Sequence, residues 1–180
     1  MKIGIYGGSF NPIHFGHIGL AKWVTEHTDL DQVWLMVSPN NPLKDKAILA
    51  DEQVRLIEAR KAIANIQSPI AKQIVVSDFE FSLPRPTYTA NTLRELQKQY
   101  PQHDFTLIIG EDNLNIFNKW REYQYILDTY RIFVYPRRNI ISQTSQQHED
   151  ILRKANNVKL LADAPYFDIS STELRKNLHN

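Results

Sequence analysis

Cysteine is absent from the 180-residue sequence, which removes disulfides, thiolate metal sites and a cysteine nucleophile. Excess charge of either sign is missing too: 21 Lys and Arg against 20 Asp and Glu leave a formal net charge of +1. A field that weak gathers neither a polyanion nor an anionic membrane, so nucleic acid and membrane are not expected partners, although a local basic cluster can still hold a phosphate. No apolar run approaches the roughly 20 residues of a membrane span. The opening Met1-Lys2-Ile3-Gly4-Ile5-Tyr6 is too short for a signal-peptide core, and the cytoplasm is the expected compartment. Internal repeats, low-complexity tracts and linker-like shifts in composition are lacking as well, and no segment carries the signature of a particular oligomeric state. With 42% hydrophobic and 23% charged residues, the composition is that of an ordinary soluble protein rather than a disordered or fibrous one. The length fits one domain over 1–180.

What is present alternates. Apolar runs bounded by turn residues predict strands over 3–6, 33–37, 73–76, 105–109 and 131–135, with helix-patterned segments over 17–27, 51–65, 89–99 and 171–178 and shorter ones over 113–117 and 122–127. Strands this apolar suit a parallel sheet covered on both faces, because a sheet with one wet face would show a polar residue at every second position. Two loops are stiffened by proline: 38–44 follows the second strand and 82–87 precedes the helix over 89–99. In an open α/β sheet, ligands bind at the carboxyl ends of strands, so both are candidate substrate loops.

The first strand runs into Gly7-Gly8-Ser9-Phe10-Asn11-Pro12-Ile13-His14-Phe15-Gly16-His17. Glycines at a strand-to-helix turn let backbone amides approach a phosphate, and the helix start adds partial positive charge. His14 and His17 lie three apart at the helix entrance, where both rings can donate to one anion. The same glycines also suit any tight turn, and the histidine spacing also suits a metal pair, though no third ligand stands at fitting spacing. The run matches neither the dinucleotide fingerprint nor the Walker sequence.

Near the other end, Ile169-Ser170-Ser171-Thr172-Glu173-Leu174-Arg175 reads as a helix start, with Ser170 and Glu173 spaced as a capping box. Ser171, Thr172 and Arg175 can still face an anion, the guanidinium gripping two oxygens at once. Between these segments, Leu107-Ile108-Ile109-Gly110-Glu111-Asp112 is a strand ending in glycine. Asp112 can accept hydrogen bonds from a ribose or cap the next helix. Trp120 offers the widest flat apolar surface for stacking a ring, or belongs to the core. Arg137 and Arg138 are a solvated pair or a phosphate contact.

Two of these motifs carry a resemblance. The glycine-histidine run is similar to the signature of nucleotidylyltransferases, particularly bacterial nicotinate-nucleotide adenylyltransferases, and Ile169–Arg175 resembles a second motif of that family, with Leu174 in place of isoleucine. The likeness extends from Lys2 to about Leu178, and family members continue past the second motif with another helix. It implies a Rossmann-like, doubly wound α/β sheet and transfer of AMP from ATP to nicotinate mononucleotide, a step of NAD biosynthesis. By resemblance, Gly8, Ser9, Phe10, His14, His17, Gly110, Asp112, Ser170, Ser171, Thr172 and Arg175 bind ATP, with His14, His17 and Arg175 catalytic. Asn40, Lys44, Thr87, Tyr88, Trp120 and Arg137 are implied to hold the mononucleotide, although Thr87 and Asn91 depart from the family's loop pattern. Mg²⁺ is expected to arrive on ATP rather than in a dedicated protein site.

Pantetheine-phosphate adenylyltransferases usually carry threonine where His14 stands, and the usual cytidylyltransferase motif is not found here. Class I aminoacyl-tRNA synthetases share a histidine-rich cradle but need tRNA-binding domains. Two readings stay open beside the implied one: nicotinamide mononucleotide as acceptor, and a non-catalytic nucleotide-binding protein of the same fold.

Overall fold

A computed structural model of the chain describes residues 1–39, 51–137, 150–151 and 155–166. Among the described residues, six strands form one parallel sheet in the order β3-β2-β1-β4-β5-β6. They are β1 (Lys2–Gly8), β2 (Gln32–Val37), β3 (Ile74–Ser77), β4 (Asp104–Gly110), β5 (Arg131–Tyr135) and β6 (Val158–Leu160). The helices are α1 (Phe15–His27), α2 (Glu52–Ala64), α3 (Thr89–Gln99), α4 (Glu111–Asn115) and α5 (Tyr123–Thr129), with single 3₁₀ turns at Pro69–Gln73, Phe79–Ser82 and Phe117–Lys119.

The apolar strands are buried on both faces, as a parallel sheet under two helix layers requires. Alternate residues serve opposite layers. Tyr6, Leu35, Ile108 and Phe133 pack with Leu20 and Val24 of α1 and Leu56 and Ala59 of α2. Ile3, Ile5, Leu107, Ile109 and Val134 pack with Leu93 and Leu96 of α3 and with Leu114 and Ile126. At Gly4 the first layer admits no side chain, because a Cβ would meet Ile108 Cδ1 at 2.6 Å and Leu30 Cδ1 at 2.7 Å.

The five predicted strands are all present, and β6 is an addition. It pairs with β5 through Ile132 opposite Val158 and Val134 opposite Leu160. Three residues with a central exposed lysine give too little alternation to stand out in sequence. The predicted helix over 113–117 shifts earlier to Glu111–Asn115, and its last residue opens the 3₁₀ turn at Phe117–Lys119. The predicted helix over 171–178 lies outside the described residues. Among the described residues no helix is long and apolar enough to cross a membrane.

This topology places the site. Strand order reverses at the pair of β1 and β4, so the connections leaving them run to opposite faces and open a crevice at the carboxyl edge. Gly8 ends β1 and Gly110 ends β4 on that edge.

Candidate active site

Helix α1 begins with an unusual cap. His14 is its N-cap residue: its Nδ1 accepts from the Gly16 amide at 3.2 Å, and its own amide donates to His17 Nδ1 at 3.3 Å. Two imidazoles thus make the reciprocal capping arrangement usually built from a hydroxyl and a carboxylate or amide. The predicted start at residue 17 is two residues late because histidine is not a standard capping signal.

The capping bonds fix the tautomers. With each Nδ1 lone pair committed to a backbone N–H, the proton of the neutral ring sits on Nε2, which makes each ring an Nε2–H donor. The rings stack, with centroids 3.7 Å apart and planes 26° from parallel. Below them the buried Phe10 meets the His17 ring edge-on at 5.0 Å and Tyr6 at 5.7 Å. Phe10 holds a φ of 44°, in the left-handed region that a bulky residue avoids, at a cost of about 1–3 kcal/mol. Ser9 and Asn11 beside it are buried.

Burial, and next the nearby Arg137 charge, push His14 down from 6.5 to about 4. The folded protein therefore resists protonating a ring that the unfolded chain protonates readily. The linked stability is present in full above pH 6.5 and is lost as pH falls through about 4. We expect His14→Asn, which can still cap the helix, to flatten the fall in Tm across that window. Parallel melting curves for the two proteins check this; an unchanged pH dependence would remove His14 as its source.

Arg137, two residues past the end of β5, completes the cluster. Its amide donates to Glu111 Oε2 at 3.0 Å and its Nη2 to Tyr135 Oη at 2.9 Å, while its Nε lies 3.7 Å from Asp112 Oδ1. The Tyr135 and Tyr6 hydroxyls are 3.5 Å apart, and burial raises both above the usual phenol range, so both stay neutral. Tyr6, His14, His17, Tyr135 and Arg137 line one cavity with Gly16, Pro165 and Tyr166. At Gly110 a Cβ would come within 2.3 Å of Asp112 Oδ1 and 3.2 Å of both Arg137 Nε and Tyr135 Cζ. Absence of a side chain there lets Asp112 and Arg137 approach each other over the strand end. Among the described residues, no three His, Asp or Glu side chains gather as a metal site.

In the second core layer, Trp120 closes the 3₁₀ turn, half-buried, with its ring 5.3 Å from that of Phe117. The neighbouring Arg121 guanidinium lies 5.0 Å from the Tyr88 ring centroid, which joins this turn to the start of α3.

The family model described as "Cytidylyltransferase-like" matches residues 5–177. The relative named "Probable nicotinate-nucleotide adenylyltransferase" from Flavobacterium psychrophilum is 44% identical over 182 residues, covering 100% of this chain and 88% of its own length. The protein of the same name from Cytophaga hutchinsonii is 46% identical, with 97% of this chain and 84% of that one covered. The chain belongs to the nicotinate-nucleotide adenylyltransferase family. Its fold matches the solved Plasmodium falciparum nicotinic acid mononucleotide adenylyltransferase complexed with NaAD, with a TM-score of 0.78 at 22% identity, covering 97% of this chain and 82% of that one.

In this adenylyltransferase the structure brings His14, His17 and Arg137 to one cavity, with Asp112 beside Arg137. Arg137, implied to contact the mononucleotide, lines the same cavity as His14 and His17. Trp120 packs on Phe117, and the next residue, Arg121, lies over the Tyr88 ring. Thr87 lies apart from open space: it is 7% exposed. It faces Glu80, whose carboxyl burial raises and whose neighbouring Thr92, Ser38 and Thr87 hydroxyls lower again. Asn40, Lys44, Ser170, Ser171, Thr172 and Arg175 lie outside the described residues, as does Arg138.

Sequence reasoning missed two buried charged residues that shape the site. Glu80 accepts from Thr92 Oγ1 at 2.7 Å and ties the Phe79–Ser82 turn to α3. Arg55 of α2, 1% exposed, reaches under the β1–α1 loop. Its one sequence signal is that it shares a helix stripe with Ala59 and Ile63, four and eight residues on, where an apolar residue is expected.

Proposed function

We propose that the chain transfers AMP from ATP to nicotinate mononucleotide, giving nicotinate adenine dinucleotide and pyrophosphate. The observation that carries this is the stacked His14 and His17 pair, its tautomers set by the helix-start amides, beside Arg137 at the switch point of the sheet. The mononucleotide phosphate oxygen attacks the α-phosphorus of ATP in line. The bond to the bridging oxygen breaks, and pyrophosphate leaves with the electron pair. Such a transfer needs positioning and charge neutralisation rather than a protein nucleophile. Two fixed Nε2–H donors and a guanidinium supply the second, and the first-turn amides of α1 add to it. Mg²⁺ enters as part of the ATP substrate, held mainly by phosphates and water.

In this reading ATP lies over Gly8, Ser9 and Phe10 with its ribose toward Gly110 and Asp112, and Ser170, Ser171, Thr172 and Arg175 close on the phosphates. Trp120 and Tyr88 receive the pyridine ring, with Asn40 and Lys44 reaching the mononucleotide. Thr87, buried against Glu80, supports that loop from below.

The acceptor is tested by measuring kcat/KM for nicotinate and nicotinamide mononucleotides side by side. The proposal expects a preference for the nicotinate form of at least about tenfold, the discrimination of one charged hydrogen bond. Equal or reversed values would replace the acceptor while leaving the transfer chemistry intact.

A further inference from the structure

We propose that Arg55 is a positioning residue for adenylyl transfer, aiming the Phe10 amide at the nucleotide by holding the carbonyl of the same peptide unit. The guanidinium Nη1 donates to Ser9 O at 2.5 Å and to Ser38 O at 2.9 Å, and Nη2 donates to Pro39 O at 3.2 Å. Ser38 in turn donates its amide to Gly8 O at 2.9 Å. The starts of the loops leaving β1 and β2 are thereby fixed to each other and to α2.

The peptide plane gives this contact its consequence. The C=O of Ser9 and the N–H of Phe10 belong to one planar trans unit and point in opposite directions. Drawing the carbonyl inward onto Arg55 directs the amide outward, toward the crevice beside the histidines. It also holds Phe10 at its left-handed φ of 44°, a conformation that persists only where the surroundings over-determine it.

An apolar side chain at position 55 would continue the stripe of Leu56, Ala59 and Ile63 without the desolvation that lowers the affinity of this guanidinium for its proton. It would withdraw three hydrogen bonds from buried loop carbonyls. Lysine keeps the charge but, as a compact point donor, cannot span three carbonyls in a fixed fork.

The inference rests on the reading of the Ser9 and Phe10 amides as part of the ATP cradle. The test compares the native enzyme, Arg55→Lys, Arg55→Ala and Ile63→Ala in the ATP and nicotinate mononucleotide assay, with a melting curve for each. Ile63→Ala loosens the same helix away from the loops and serves as the stability control. The expected result is a fall of roughly 100-fold in kcat/KM for ATP in Arg55→Lys, the scale of a misplaced reacting group. Ile63→Ala is expected to stay within about threefold of native at equal or greater loss of Tm, since its cost is cavity formation away from the site. Free guanidinium at sub-denaturing concentration is expected to restore part of the activity of Arg55→Ala. Near-native constants for Arg55→Lys, or losses in both helix variants that follow Tm alone, would overturn the inference. A native enzyme without adenylyl transfer would overturn the functional reading instead, so the two failures are distinct.

Discussion

Replacing His17 by alanine lowers kcat by about 10²–10³, the effect of deleting one preorganised donor to a charge that develops in the transition state. Folding is largely kept. The substitution removes the acceptor for the His14 amide, which costs about 1 kcal/mol, while the bond from the Gly16 amide to His14 Nδ1 remains. His17→Gln separates the two roles, because glutamine at this position can still reach back to the N-cap amide. Its Tm should return to near the native value while its turnover stays depressed. Steady-state kinetics and melting curves on the three proteins check both statements. Near-normal turnover in His17→Ala would mean that the stacked pair serves the helix cap alone.

The second large effect falls on the acceptor. In Trp120→Ala, KM for the mononucleotide rises roughly 10- to 100-fold, as expected for the loss of about 1–3 kcal/mol of ring stacking. KM for ATP changes little, because the histidine cavity has no lining residue from this turn. Trp120 also packs on Phe117, so Trp120→Phe, which keeps an aromatic face, should recover part of the affinity. Equal changes in both KM values would place Trp120 in the core rather than at the acceptor.

The parts of the molecule legible in sequence are those whose partners are close in the chain. The glycine-histidine run, the strand before it and the helix after it share a single stretch, and the structure assembles them at the switch point of the sheet. Even there the capping role of the histidines was hidden, since both Nδ1 contacts use backbone amides and leave no side-chain pattern. Arg55 was illegible for a stronger reason. Its acceptors are carbonyls 46, 17 and 16 residues away, and a carbonyl belongs to every residue type. The burial of Thr87 beside the Glu80 carboxylate was likewise hidden, because Glu80 lies in a separate 3₁₀ turn before the loop. Arg137 could be read as a charged residue after a strand, but its place beside Asp112 and Tyr135 needed the register that sets Gly110 opposite Tyr135.

The most direct test of the whole account follows the α-phosphorus of ATP. With ATP labelled at that atom and nicotinate mononucleotide as acceptor, the label is expected in nicotinate adenine dinucleotide, with unlabelled pyrophosphate released in equal amount. Label retained in ATP, despite saturable ATP binding and in the presence of either mononucleotide, would contradict the account and leave a nucleotide-binding protein of this fold.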